Sequence, residues 1–591
     1  MTSSDPDTLA NVDSRGTPGS ARSAIAWLVG SPAGRAWCAF ALLFAGIAYL
    51  RIGYMETVRF LEGIDGGYYT DIAQHVRDGN GLVTDVSIFH QGYAYFPHPT
   101  AIYPIWPLLY GYVSRVWPIE LVGIWLPTAL YFTSLLCGYL WAQRTFPGEF
   151  FPRLMPGIGA GHVLLVMLGL QFQFVKYTAR PYTEGISFTL LFLALTRIQS
   201  RFKRPSAAGG LEVGAWLAVL FLARSQFLFV VVGAFGSLAW FAVFARETRL
   251  EFRKMAVACG VGFTVAMLPY VLYAIKVWGH FDPRTMLLFG ETPKESPLSP
   301  NYAYRPAGDF SDALAARFKG MKLAFRWDHK RSYTRSFYAF TYALPLATVV
   351  AGVTLAFDRP RTLLRRCWAW LRDTRNADMI MLLLMSLLGL AMLHWLIKGN
   401  GQWYFHRRHN LSAFFAFLLP LVYLLRHRWA AVRVVGLLLF LVGTYGSVTA
   451  TAGATASRAA HPPKLVYKDL SKWLRKEHEK RGDFTVAFTG SAQHLGWQTP
   501  GISYHWMYPR TTLRDLDIMF DKLGADLLVV ERVKRRKPWK FNRPAKAFAA
   551  RYVEVYPDAF KRYQFFERRP SEPAPAAVSP TPVPRTPKEK P

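Results

Sequence analysis

The sequence predicts a polytopic all-α membrane bundle that carries a small C-terminal α/β domain, and three observations predict it. Of 591 residues, 52% are hydrophobic and 15% aromatic. These apolar residues gather into blocks of the roughly 20 residues that a helix needs to cross a bilayer. Blocks such as Phe40–Tyr54, Leu121–Trp141, Ile380–Ile397 and Val435–Val448, completed by their flanks, are apolar on every side. A helix on the surface of a globular protein would be apolar on one face only. Clusters of Lys and Arg separate the blocks, and from about Ala459 the composition becomes that of a small soluble domain.

Taken in order, residues 1–35 are polar and rich in Gly, Ser and Pro, without a cleavable signal pattern, and read as a disordered cytoplasmic tail. Basic clusters mark cytoplasmic helix ends. They lie at Arg144–Arg153, Arg197–Arg204, Arg246–Lys254, Arg359–Arg375 and Arg426–Arg428. Fitting helices between them gives about eleven spans over residues 36–450, with the N-terminus cytoplasmic and the C-terminus outside. The spans fall near 36–54, 121–142, 156–175, 184–197, 211–223, 226–245, 254–277, 335–357, 378–397, 410–425 and 431–450.

Ile102–Trp117 is apolar but holds Pro104 and Pro107. As a full span it would invert every later helix, so it reads as an interfacial or re-entrant helix within an external loop over 56–118. A second external loop covers 278–333. Within it Leu314, Phe318, Met321 and Phe325 recur at helical spacing among basic residues. That pattern suits the membrane surface or packing on the bundle. Residues 459–570 form the extracytoplasmic α/β domain, with helices over Lys464–Lys480 and Thr511–Leu523 and strands at Phe484–Phe488 and Asp526–Arg532. The proline-rich stretch 571–591 reads as disordered.

The net charge of +32 is assigned to orientation and to anionic lipid headgroups, not to nucleic acid. Cys38, Cys137, Cys259 and Cys367 lie in or beside apolar blocks. Their spacing suggests neither a disulfide framework nor a zinc site. There is no phosphate-binding P-loop, no GxSxG and no dinucleotide fingerprint.

Acids and bases collect at the external helix ends. The segment Gly63-Ile64-Asp65-Gly66-Gly67-Tyr68-Tyr69 through Gly79-Asn80-Gly81-Leu82 follows the first span, which puts Asp65 at the outer boundary. Asp65 fits two roles: N-cap of a Tyr68–Arg77 helix, or a base taking the proton of an attacking hydroxyl. Tyr69, Ile72, Ala73 and Val76 share one face of that helix. Glu184 opens the fourth span. It fits either a salt bridge to Arg180 or a direct role in a site, with Lys176 and Arg180 beside it. Arg224 interrupts two apolar helices, and His406, Arg407 and Arg408 precede the tenth span. These cations fit headgroup snorkelling or a phosphate leaving group. His90 and His98 lie on the first external loop without metal-ligand spacing and read as substrate-facing or structural.

This pattern resembles the membrane glycosyltransferases of the C fold. That superfamily includes protein O-mannosyltransferases, the bacterial aminoarabinose–lipid A transferase and the oligosaccharyltransferase catalytic subunit. The segments that carry the resemblance are Asp65–Leu82, Tyr103–Tyr110, Glu184, Leu222-Ala223-Arg224, and Tyr404–His409 through Pro420. Gly66 departs from the Glu that many relatives place after the first Asp, and the second loop has a single acid where the metal-using branch has a pair.

The resemblance implies a polyprenyl-phosphate-linked sugar donor, a glycan, lipid or protein acceptor, and a bacterial plasma membrane. It also implies Asp65 as base or acceptor-orienting carboxylate with inversion at the anomeric carbon, Glu184 as second carboxylate, and Arg224 and Arg407 as phosphate contacts. No resident cofactor is expected. Two other classes remain open. One is a transporter or flippase for lipid-linked intermediates, which calls for charges at mid-membrane. The other is an assembly protein acting through its C-terminal domain, where His494, Trp497, His505 and Trp506 line a surface or pack inside.

Overall fold

The computed structural model describes residues 31–58, 64–87, 96–100, 104–151, 155–224, 227–245, 247–278, 340–358, 363–396, 418–460, 467–507, 511–532, 545–556 and 560–570. His90, His406, Arg407, Arg408 and the amphipathic segment around Leu314–Phe325 lie outside them.

The chain opens with α1 (Pro32–Thr57), α2 (Ile64–Arg77), the short strands β1 (Val83–Thr84), β2 (Val86–Ser87) and β3 (His98–Pro99), then α3 (Ile105–Val113) and α4 (Ile119–Thr145). The Ser31 hydroxyl caps α1, accepting from the Gly34 amide at 2.9 Å. Helix α3 is the proline-bearing segment that the sequence set apart. Pro104 caps it and Pro107 sits in its first turn, where the amides have no intrahelical acceptor to lose.

The third expected span, 156–175, is not one helix. A hairpin of β4 (Glu149–Phe151) and β5 (Met155–Gly159) leads into α5 (Ala160–Gly169), and the chain breaks before α6 (Phe172–Thr178). The apolar run hides the break because composition does not record where carbonyls go. Here the Tyr131 hydroxyl donates to the Gly169 carbonyl at 2.5 Å, and Gln171 in extended conformation caps α6.

The bundle continues with α7 (Glu184–Lys203), α8 (Ala207–Ala223), α9 (Leu228–Phe244), α10 (Arg249–Trp278), α11 (Phe340–Asp358), α12 (Leu363–Arg372), α13 (Ala377–Leu396), α14 (Leu418–Leu425) and α15 (Ala430–Ala460). Among the described residues, α1, α4, α10 and α15 are each long and apolar enough to cross a membrane. The remaining apolar helices are shorter or fall below that standard, so the number of spans rests on the sequence pattern. Helix α4 packs on α7 and α9 on α13. Helices α8 and α10 pack closely along their length, because a Cβ at Gly214 would stand 2.1 Å from the Cys259 carbonyl oxygen.

The bundle has two chemically distinct ends. Helix α7 begins at Glu184 and ends at Lys203, about 30 Å away at helical rise. At the far end Lys203 pairs with Asp378 at 3.4 Å, and Arg426 donates to the carbonyls of Phe146 and Pro147. Trp240 Nε1 donates to the Leu371 carbonyl, which docks α12 there. The basic clusters therefore gather at the end opposite Glu184, α2 and α3.

The C-terminal unit contains α16 (Lys468–Arg481), β6 (Phe484–Phe488), α17 (Gln493–Gly496), β7 (Ile502–Trp506), α18 (Leu513–Asp521), β8 (Leu527–Glu531), α19 (Ala545–Arg551), β9 (Tyr552–Val555) and β10 (Tyr563–Arg568). Its strands form a six-stranded mixed sheet in the order β2-β7-β6-β8-β10-β9. On β8, Leu527 and Val529 enter one core with Leu470 and Leu474 of α16. Leu528 and Val530 enter another with Leu516 and Met519 of α18. A strand buried on both faces reads as a continuous apolar run. The edge strand β2 comes from the segment between α2 and α3 and pairs in parallel with β7, Val86 opposite Tyr504 and Ser87 opposite His505.

Candidate functional site

Helix α2 begins at Ile64, so Asp65 stands inside its first turn and is not the N-cap of a helix starting at Tyr68. A carboxylate there faces the positive end of the helix dipole. Asp65 is half-buried. Tyr69, Ile72, Ala73 and Val76 are all buried. The Tyr69 ring packs with Trp106, Tyr110, Tyr177 and Tyr182, which makes it part of the wall of the site.

The turn between α6 and α7 meets the start of α2. A Cβ at Gly66 would lie 3.3 Å from the Pro181 ring. Trp106 of α3 fixes the same turn by donating from Nε1 to the Pro181 carbonyl at 3.0 Å. Arg180 is therefore carried, one residue before Pro181, to the first turn of α2, which also holds Asp65. Lys176, one turn earlier on α6, places its ammonium 5.5 Å from the centre of the Tyr177 ring.

Glu184 has a different partner from the neighbouring Arg180. Its Oε1 pairs with Arg224 Nη1 at 2.9 Å, both side chains being almost wholly inaccessible to solvent. Its Oε2 has no hydrogen bond among the described residues. Local spacing favoured Arg180, but the α7–α8 hairpin returns Arg224 from 40 residues along the chain. An ion pair this dry is costly to make and more costly to break on one side.

Two contributors escaped the sequence reading as site residues. Arg51, inside the first apolar block, is fully buried. Its Nη2 donates to the Thr178 carbonyl at 2.6 Å and to Thr128 Oγ1 at 3.1 Å, and the guanidinium lies 5.0 Å from the centre of the Tyr131 ring. Its Nε and Nη1 have no partner among the described residues. A charge within an apolar span was the available signal.

The second is His494 of α17. Burial first and the Arg180 guanidinium second pull its imidazole down to about 4, against the opposing Asp65 carboxylate. The charges of Asp65 on α2 and Arg180 in the α6–α7 turn thus both reach His494 of the C-terminal unit. His98 pairs through β3 with Thr84 of β1, and burial pulls it to about 4 as well.

Among the described residues, one group has the spacing of a cation site: Asp71, His75 and Asp85, whose ligand atoms lie within 4.8 Å of one another. Its members already satisfy each other. Asp71 Oδ2 accepts from Thr84 Oγ1 at 2.6 Å and from the Asp85 amide at 3.0 Å, and His75 Nε2 meets Asp85 Oδ2 at 3.0 Å. This is a latch between α2 and the β1–β2 segment.

Fold and site together define a multi-pass membrane-type helical protein, capped at one end by an α/β domain over a buried cluster of acids and bases. No family model matches the chain, and no curated protein sequence matches it. Among solved structures it is similar to ArnT from Cupriavidus metallidurans in the apo state, with a TM-score of 0.34 and 12% identity. That likeness covers 89% of this chain and 97% of the other. A likeness of that size assigns no role to any residue of the cluster.

Proposed function

We propose that the protein is an integral-membrane glycosyltransferase that moves a sugar from a polyprenyl-phosphate carrier to an envelope glycan, lipid or protein on the extracytoplasmic face. The observation that carries this reading is the meeting of the Arg180-Pro181 turn with the Asp65-Gly66 start of α2 at the end of the bundle remote from the basic clusters. Positive charge gathers on the cytoplasmic side of membrane proteins, so the cluster belongs outside. A donor there is lipid-linked, because cytosolic nucleotide sugars do not reach it. The motif resemblance of Asp65–Leu82 and Leu222-Ala223-Arg224 points the same way.

In the proposed reaction the acceptor oxygen attacks the anomeric carbon while the bond from that carbon to the phosphate oxygen breaks. The phosphate leaves with the electron pair and the configuration inverts. Asp65 takes or orients the acceptor proton, which contributes roughly 10²–10⁴-fold. Lys176, Arg180 and Arg224 neutralise the departing phosphate, and Arg51, with two donors to spare, stands behind them. His406, Arg407 and Arg408 join that role on the strength of the motif alone. Glu184 is the second carboxylate, holding Arg224 in place.

Asp65→Asn leaves the protein inserted and folded and abolishes transfer. The measurement is mass spectrometry of envelope glycans and lipid-linked sugars in a deletion strain complemented with the variant. An accumulating donor also names the sugar. Wild-type glycans in that strain would remove the assignment.

A further inference from the structure

Arg51 is a cation set into an apolar helix. It stands near the C-terminal end of α1, which is long and apolar enough to cross a membrane, and no part of it reaches solvent. Nη2 spends both of its hydrogens, on the Thr178 carbonyl at 2.6 Å and on Thr128 Oγ1 at 3.1 Å. These bonds tie the guanidinium to α4 and to the last turn of α6, two residues before Arg180. Nε and Nη1 are buried and donate to nothing among the described residues, and no carboxylate there pairs with the group.

The other dry arginine of the site shows the contrast, since Glu184 matches Arg224 at 2.9 Å. For Arg51 the Tyr131 ring, 5.0 Å away, offsets part of the charge. A guanidinium stays charged, so burial cannot be relieved by losing a proton. Water would satisfy its hydrogens but not its charge. Spare N–H donors on a fixed, buried cation form a socket for an oxyanion.

The setting narrows the choice of anion. Leu42, Tyr49 and Ile52 of α1 are exposed, so the helix that carries Arg51 presents an apolar flank along which a lipid chain can lie. One turn beyond Arg51, Tyr54 shares its face of α1, and the Arg458 guanidinium of α15 lies 5.5 Å over the Tyr54 ring. Half-buried Arg458 is thus a second cation on that side of α1. An oxyanion on an apolar tail is a lipid-borne phosphate.

We infer that Arg51 binds the phosphate of a polyprenyl phosphate: Nε and Nη1 donate to its oxygens while Nη2 stays fixed on Thr178 and Thr128. The inference rests on the proposed glycosyltransferase reading and deepens it, adding a residue of α1 that the motif resemblance does not contain. The Thr178 bond brings this phosphate to the segment that carries Lys176 and Arg180. Arg51 is a binding residue, and it sets how tightly the carrier is held.

The test uses the full-length protein in phosphatidylcholine nanodiscs, titrated separately with undecaprenyl phosphate and with phosphatidylglycerol. Arg51→Gln is expected to weaken undecaprenyl-phosphate binding by about 10- to 100-fold, the worth of a lost charge-assisted contact, and to leave phosphatidylglycerol binding unchanged. Its melting temperature without added lipid should not fall, because the substitution removes an uncompensated charge. Unchanged undecaprenyl-phosphate affinity makes Arg51 a structural cap of α6, and an equal loss for both lipids makes it a headgroup anchor; either result overturns the inference. Should Arg51→Gln fail to fold, or melt early, a cryo-EM map of the wild-type protein with undecaprenyl phosphate decides. Phosphate density against Nε and Nη1 supports the inference, and phosphate elsewhere overturns it. Wild-type affinity and transfer in Arg51→Gln sink this inference alone. A wild-type protein that neither binds undecaprenyl phosphate nor transfers sugar sinks the glycosyltransferase reading with it.

Discussion

Glu184 shows how little a local sequence window says about a buried charge. The acid at the head of α7 was visible as an outlier in an apolar stretch. Its partner was not, because Arg180 is four residues away in sequence and Arg224 is brought in by the fold at 2.9 Å. The pair predicts an asymmetric response. Glu184→Gln strands a guanidinium in a dry site and destabilises the protein by about 3–5 kcal/mol, whereas replacing both residues with apolar ones of similar volume recovers most of that loss. Thermal unfolding in detergent measures both, and equal losses for the single and double variants would contradict the buried-pair account. Asp65 was legible as a candidate from its glycine-rich setting and its position after the first span. His494 was legible only as an aromatic of the soluble domain, since nothing in its own neighbourhood announces the backbone contact with Gly67, more than 400 residues earlier.

Among elements, the long apolar helices and β6 were written in the sequence because each carries its own periodicity or run. Strand β7 was not, since His505 and Trp506 interrupt its apolar character, and β2 is too short to carry any pattern. What holds the β1–β2 segment to α2 is polar: the Asp71, His75 and Asp85 latch.

Burial first and the charge of Asp85 second raise the Asp71 carboxyl to about 7, against the opposing effects of His75, Thr84 and the Asp85 amide. Burial lowers His75, but its hydrogen bond to Asp85 and the charges of Asp71 and Asp85 outweigh that and leave it raised. Both groups bind protons more tightly in the folded state than in the unfolded chain. The stability they contribute is complete at low pH and is lost as pH rises through their folded values, around neutrality for Asp71. Hydrogen exchange at residues 83–87, corrected for intrinsic rates, is therefore faster at pH 8 than at pH 6, and Asp71→Asn flattens that dependence. Equal protection at both pH values would refute the latch.

At the level of the whole molecule, the basic clusters lie at the end opposite Glu184, α2 and α3, and the proposed topology follows from this polarity. Helix α12 lies at the basic end with Cys367 exposed on it, next to Arg372 stacked 4.2 Å from the Trp368 ring. Cys38 and Cys137 are half-buried and Cys259 is buried. A membrane-impermeant maleimide is expected to label Cys367 in inverted vesicles and not in intact cells. Labelling from the outside would invert the topology and place Asp65 in the cytoplasm. The overall plan, a bundle with an appended domain, was readable from composition and charge. The junction between the two was not, because a seam made of a glycine, two carbonyls and a two-residue strand has no compositional signature.

That borrowed strand has a consequence for biogenesis. The Trp506 amide donates to the Ser87 hydroxyl across 419 residues of chain. Ribosomes deliver the N-terminal partner first, and domains generally fold as they emerge. Val86 and Ser87 must therefore wait, unmatched, until nearly every later helix has been made. The edge of the sheet closes on β2 only once synthesis has passed β7, so a stalled or clipped nascent chain leaves the segment after α2 without its partner strand.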